Sequence, residues 1–126
     1  MPAGLKFREA ATSLRSQVAG VKAIILIGLD GSVLEYTVVD PTFDIGTFVA
    51  EYTTLLRIAS RTSEDTGSGE LREHISVSDR TMAFARAVPS GSYLVLISDA
   101  RALVGRVRYE LRMAAKTLAG AAAKNR

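Results

Sequence analysis

The chain has no cysteine and no tryptophan, a single histidine, and only three prolines among its 126 residues. Without cysteine there is no disulfide framework, no thiolate metal ligand and no thiol nucleophile. His74 stands alone, so neither a catalytic triad nor a histidine-built metal site can be assembled around it. Aromatic residues are 6% of the chain, too few for the stacking platforms of single-strand binders. Long apolar runs are missing as well. The longest, Ala23–Ile27, is strand-sized, whereas a membrane span needs roughly 18 such residues. The opening MPAGLKFREAATSLRSQ has no apolar core of signal-peptide length. These absences lead to the expectation of a cytoplasmic protein with no membrane span, no metal and no cofactor.

What is present describes one domain, residues 1–126, with a core over about 5–118 and a flexible tail over 119–126. Sixteen basic residues against thirteen acidic ones leave a net charge of +3. That slight excess is a lightly basic surface, and nucleic acid is not an expected partner.

The order of elements is legible from patterning. Leu5–Ala19 has helical apolar spacing through Leu5, Ala11, Leu14 and Val18, with Gly20 past its end. Val21–Gly28 is β-branched and apolar on both faces, as in a sheet interior. Leu29–Ser32 carries the Asp-Gly pair of a tight hairpin turn, Val33–Val39 returns, and Asp40-Pro41 ends that strand. Asp44 is placed to cap a helix reaching about Asp65. Its apolar band of Ile45, Phe48, Val49, Tyr52, Leu55, Leu56 and Ala59 is wider than one buried stripe. Thr66–Gly69 reads as a flexible linker.

Three strands follow: Glu70–Ser78, Thr81–Val88 and Ser92–Ser98, joined by turns at Asp79-Arg80 and Pro89–Gly91 that demand antiparallel neighbours. The first is polar, with Leu71, Glu73, Ile75 and Val77 on one face and Arg72, His74 and Ser76 on the other, which suits a sheet edge. After Ser98, Asp99 is expected to cap a last helix whose stripe is Leu103, Val107, Leu111, Ala114 and Leu118.

No chemistry-bearing constellation emerges. Asp30-Gly31 lacks the further carboxylates of a calcium loop and the Gly-Lys-Ser/Thr of a phosphate loop. Glu51, Glu64, Asp65, Glu70 and Glu73 are scattered. Arg101, Arg108, Arg112 and Lys116 recur at 7, 4 and 4 residues on the side of the last helix away from its stripe, a solvated face or a contact surface for an acidic partner. Arg86 shares the register of Met82, Phe84 and Val88, so it must snorkel or pair with a carboxylate.

The hairpin IILIGLDGSVLE (Ile24–Glu35) and the unit LVLISDARALVGRVRYELRMAAKTL (Leu94–Leu118), with its Val104-Gly105 pair, resemble the roadblock family of the dynein light-chain type. The resemblance spans about Leu5 to Leu118 and leans toward the bacterial members. It implies an α+β fold of roadblock/profilin type, α-β-β-α-β-β-β-α. A five-stranded antiparallel sheet would carry the middle helix on one face and the terminal helices on the other. It also implies a homodimer in which the middle helices pack side by side and the strand after them pairs with its twin. The seam would then involve Phe48, Tyr52, Leu55, Leu56 and Ala59, with Leu71, Arg72, Glu73, His74, Ile75 and Ser76. The expected activity is non-enzymatic: regulation, activation or scaffolding of a small Ras-like GTPase. By helical geometry, partner contacts would fall on Glu51, Thr54, Arg57 and Arg61. The chain ends soon after the last helix, without the longer extension of some bacterial members, so binding is implied more directly than activation. The alternatives are a roadblock-like module in a signalling or cytoskeletal complex that activates no GTPase, and a small-ligand sensor of PAS type.

Overall fold

The computed structural model describes residues 2–89 and 91–124. Its elements run α1 (Pro2–Gln17), β1 (Val21–Gly28), β2 (Val33–Val38), α2 (Ile45–Asp65), β3 (Glu73–Val77), β4 (Met82–Val88), β5 (Ser92–Ser98) and α3 (Val104–Lys124). The strands form one sheet in the order β2-β1-β5-β4-β3, every neighbour antiparallel. The fold is the expected α-β-β-α-β-β-β-α arrangement, and β2 and β3 are its two edges.

Strand alternation sorts the core into two clusters. Ile24, Phe84, Leu94 and Leu96 point to one face and meet Phe7, Leu14, Val107 and Leu111 from α1 and α3. Ala23, Ile25, Ala83, Val95 and Ile97 point to the other and meet Val49, Tyr52 and Leu56 of α2. Every residue of β5 is buried, because it lies between β1 and β4 with helices on both sides.

Local chemistry sets the boundaries. The Asp44 carboxylate accepts from the Thr47 N–H at 3.1 Å and from its hydroxyl at 2.7 Å, capping α2 as expected. At the other end the Gly67 N–H donates to the Glu64 carbonyl and the Ser68 N–H to the Ser63 carbonyl, with Gly67 at a φ of 72°. That is a Schellman cap, so the expected flexible linker is a hydrogen-bonded stop. The Ser63 hydroxyl also donates to the Gly69 carbonyl at 2.7 Å.

Several expectations are corrected. Asp99 does not cap α3. Its carboxylate accepts from the Arg101 N–H at 2.9 Å and pairs with the Arg101 guanidinium at 2.8 Å, closing a turn ahead of the helix. Leu103 precedes α3 and is 74% exposed, so the buried stripe begins at Val107. α1 starts and stops two or three residues early, and Phe7 and Ala10 join its core face while Leu5 is exposed. β3 begins at Glu73, so Leu71 escapes its alternation. It packs on the α2 face, with its carbonyl accepting from the Tyr93 hydroxyl at 2.7 Å, whereas Ile75 faces α1 and α3. α3 continues to Lys124, beyond the expected end at Leu118, and residues 125 and 126 of the expected tail lie outside the described residues, as does Ser90 of the β4–β5 turn.

Candidate functional site

Two sides of α2 differ in what they meet. Tyr52 and Leu56 are 4% and 0% exposed and packed against the protomer's own sheet, so of the assigned seam residues Leu56 belongs wholly to the internal core, while Tyr52 also forms part of the wall of the outward groove. The width of the apolar band comes from a second, outward row. Phe48 is half-buried, Leu55 is 42% exposed and Ile58 is 59% exposed, and together with Glu51 and Thr54 they line an open, mainly apolar groove. Phe48 stacks on Tyr52 at 4.8 Å between ring centroids and so bridges the two rows. Ala59 is half-buried, and Arg57 and Arg61 are exposed. Glu51, Thr54, Arg57 and Arg61 all reach solvent, as helical geometry requires.

Beside this row runs the free edge of β3, paired on one side only, with β4. Arg72 precedes the strand and is exposed, its carbonyl accepting from the Ala87 N–H at 2.9 Å. His74, Ile75 and Ser76 are half-buried. His74 faces α2, where its Nδ1 lies 3.1 Å from the Tyr52 hydroxyl. Burial lowers the His74 pKa and raises that of Tyr52, so the pair is held neutral. The lone histidine thus ties the edge strand to the middle helix, where its polar strand position suggested plain solvation or an interface.

Glu73 points the other way, toward α3. The Arg108 Nε donates to both of its carboxylate oxygens at 3.0 and 3.1 Å, and Arg108 Nη2 lies 2.7 Å from Oε1. Arg86, directly opposite Glu73 in the β3–β4 register, stands 3.9 Å from Oε2. Arg86 therefore faces a carboxylate, the second of the two outcomes its register allowed. Glu73 is removed from the α2 side of the assigned seam and anchors α3 to the sheet edge instead. Sequence reasoning missed this cluster because Glu73 and Arg108 are thirty-five residues apart. The one available signal was the shared register of Arg86 and its partner strand.

A second groove also went unread. Val33, Tyr36 and Val38 are exposed on the outer edge of β2, and Val33 and Tyr36 line a groove with Ile45, Val49 and Ala50. The apolar residues at both parities of β2 were its signal. Among the described residues no group of three or more His, Asp or Glu is placed to hold a metal ion, and no helix is long and apolar enough to cross a membrane.

Charge divides with the layers. Lys6, Arg8, Arg15, Arg106, Arg108, Arg112 and Lys116 on α1 and α3 face only Glu9 and Glu110 there. Asp44, Glu51, Glu64, Asp65 and Glu70 on and around α2 outnumber Arg57 and Arg61. The net charge of +3 is therefore a basic layer opposed to an acidic one.

No protein-family model and no curated protein matches this chain. Solved structures do. The gliding protein MglB from Thermus thermophilus is 17% identical, with 97% of this chain and 92% of that one covered and a TM-score of 0.79. A Roadblock/LC7 domain from Streptomyces avermitilis is 22% identical over 85% of this chain and 89% of its own, with a TM-score of 0.74. MglC from Myxococcus xanthus is 27% identical over 91% and 98%, with a TM-score of 0.66. The fold is that of the roadblock domains, and the resemblance borne by Ile24–Glu35 and Leu94–Leu118 holds along nearly the whole chain.

Proposed function

We infer that the protein is a non-catalytic homodimer that regulates or scaffolds a small Ras-like GTPase in the cytoplasm. The observation that carries the dimer is the outward row of Phe48, Leu55 and Ile58 beside the unpaired edge of β3. An apolar row and an open strand edge are each a liability in a lone protomer. A twofold axis through β3 covers both at once, since an isologous contact sets each patch against its own copy. Ala59 extends the seam along α2, and His74 and Ser76 share the α2 side of the strand. A structure of MglB in a tetrameric arrangement supports self-association as a use of this fold.

The GTPase is the partner implied by the roadblock resemblance, and the polar rim of α2 supplies the contacts. Glu51, Thr54, Arg57 and Arg61 present side chains that can order a partner's switch loops without entering its chemistry. Light scattering coupled to size exclusion tests the first half: a mass near 13.5 kDa at micromolar concentration would overturn the dimer. Purification from the native host followed by identification of a bound small GTPase, then hydrolysis assays with that GTPase, tests the second. A faster hydrolysis rate marks an activator, and unchanged hydrolysis in a stable complex marks a scaffold. Failure of every small GTPase of that host to bind would leave an interaction module of another kind.

A further inference from the structure

We propose that the cleft between α3 and the β3–β4 hairpin is a binding site for a phosphate monoester group. It lies on the sheet face opposite α2 and does not rest on the GTPase reading. The cleft, about 240 Å³, is lined by Glu73 and Arg86 on the strands and by Gly105, Arg108, Tyr109 and Arg112 on one stripe of α3.

The electrostatic balance inside it is incomplete. Glu73 is engaged by Arg108 through three contacts of 2.7–3.1 Å, which occupy both carboxylate oxygens. Arg86 is three-quarters buried, approaches Glu73 no closer than 3.9 Å, and among the described residues finds no acceptor in hydrogen-bonding geometry. A guanidinium carries five N–H donors, and no Arg86 nitrogen is both sealed from solvent and unpartnered, so an anion entering the cleft can reach donors that no protein acceptor occupies among the described residues. Arg112 rests 5.7 Å from the centroid of the Tyr109 ring and has no carboxylate within ion-pair distance among the described residues. Three guanidinium groups around one carboxylate leave two positive charges uncompensated.

That count selects the ligand. A single carboxylate would neutralise half of it, whereas a phosphate monoester brings a charge of about −1.5 to −2 at neutral pH and three acceptor oxygens. Guanidinium forks match phosphate oxygens in geometry as well as sign. Gly105 keeps the mouth open: apart from its chain neighbours and the adjoining helix backbone, no described atom lies within 4 Å of the place its Cβ would occupy. The surrounding basic layer raises the local concentration of anions. The cleft is smaller than the roughly 300–1,000 Å³ of drug-sized pockets, so it accepts a headgroup while the rest of the ligand stays outside.

The phosphoryl group can come from a free small molecule or from a phosphorylated side chain. The test is amide NMR on the labelled full chain at low ionic strength, titrated with inorganic phosphate, with O-phosphoserine, and with a phosphoserine peptide beside its unphosphorylated form. Saturable shifts confined to residues around 73, 86 and 105–112 are expected. Arg86→Gln and Arg112→Gln should each weaken binding about tenfold. Arg106→Gln removes the same charge from the same helix outside the cleft and should change it less than twofold. Gly105→Leu should fill the mouth and abolish binding while leaving the melting temperature unchanged or higher. Binding of the phosphopeptide well above that of O-phosphoserine assigns the group to a protein, and equal binding assigns it to a free compound. Shifts that spread without saturating, or equal losses in Arg86→Gln and Arg106→Gln, would overturn the site.

Discussion

On one face of the sheet α1 and α3 share the cover; on the other α2 works alone. The paired helices meet each other and the sheet, and their buried residues, Phe7, Leu14, Val107 and Leu111 among them, form one cluster with Leu94 and Leu96. Their outer surfaces carry basic side chains. α2 buries Val49, Tyr52 and Leu56 inward but keeps Leu55 and Ile58 outward and is flanked by acids. An apolar residue therefore has opposite meanings one position apart on the same helix. Leu56 holds the protomer together, and Leu55 is available to something else.

The sharpest way to separate the faces is to delete an apolar side chain from each core. Leu56→Ala and Leu111→Ala should each destabilise folding by about 2–5 kcal/mol, since both sites are fully enclosed and cannot collapse around the void. Urea unfolding followed by circular dichroism gives the value directly. A loss below about 1 kcal/mol at Leu56 would mean that α2 is not part of the protomer's core.

Leu55→Glu and Ile58→Glu test the outward row. In a protomer these carboxylates stay in water, and the unfolding free energy of the isolated chain should move by no more than about 0.5 kcal/mol. At a dimer seam the same charge would be buried unpaired, at a cost of several kcal/mol. The expected outcome is a folded species of half the mass in light scattering. A variant that stays dimeric would move the seam elsewhere, with the groove of Val33, Tyr36, Ile45 and Val49 the first alternative.

The contact of Tyr52 with His74 links the α2 face to the edge strand, and its strength is open to measurement. Tyr52→Phe removes one partly buried hydrogen bond and should cost about 0.5–1.5 kcal/mol. Burial lowers the folded-state pKa of His74 below the ~6.5 of an unfolded chain. The unfolded chain then binds the proton more readily, so this contribution is complete above about pH 6.5 and is lost as pH falls through the lowered value. The melting temperature should drop between pH 7.5 and 5.5, and His74→Gln should flatten that slope. An unchanged slope in His74→Gln would assign the pH dependence to the carboxylates.

How much of this was legible in the sequence follows from the range of each interaction. β1 and β5 were readable to the residue, because runs apolar on both faces and bounded by Gly or Ser have no other stable place than a covered sheet. The α2 cap was readable because Asp44 meets Thr47 within one turn. The inward and outward rows of α2 were not separable: a band containing Phe48, Tyr52, Leu55 and Leu56 has one centre by periodicity, and only the sheet decides which part of it is enclosed. Asp99 failed as a cap because Arg101 competes for its carboxylate two residues on. Glu73 was misplaced because its partner lies on an element that no local pattern connects to β3.

The smallest expected effect on the fold, and the most specific on function, concerns Arg57 and Arg61. Both are exposed on α2, and among the described residues neither forms an ion pair, so Arg57→Ala and Arg61→Ala should leave stability within about 0.5 kcal/mol of the parent. An arginine can act directly on phosphoryl transfer by entering the nucleotide site, where it is worth several orders of magnitude in rate. Such a residue needs a reach that a position along a continuous helix does not provide, and both lie within α2, Arg57 about two turns and Arg61 about one turn before its end at Asp65. Stimulation, where it occurs, should then come from holding the partner's own switch loops in order, so that binding and activation fall together. Each substitution should weaken GTPase binding by roughly 1–2 kcal/mol and leave the rate at saturation nearly unchanged. A variant that binds normally and no longer accelerates hydrolysis would make that arginine a catalytic residue, and α2 would then be more than the adhesive face of the molecule.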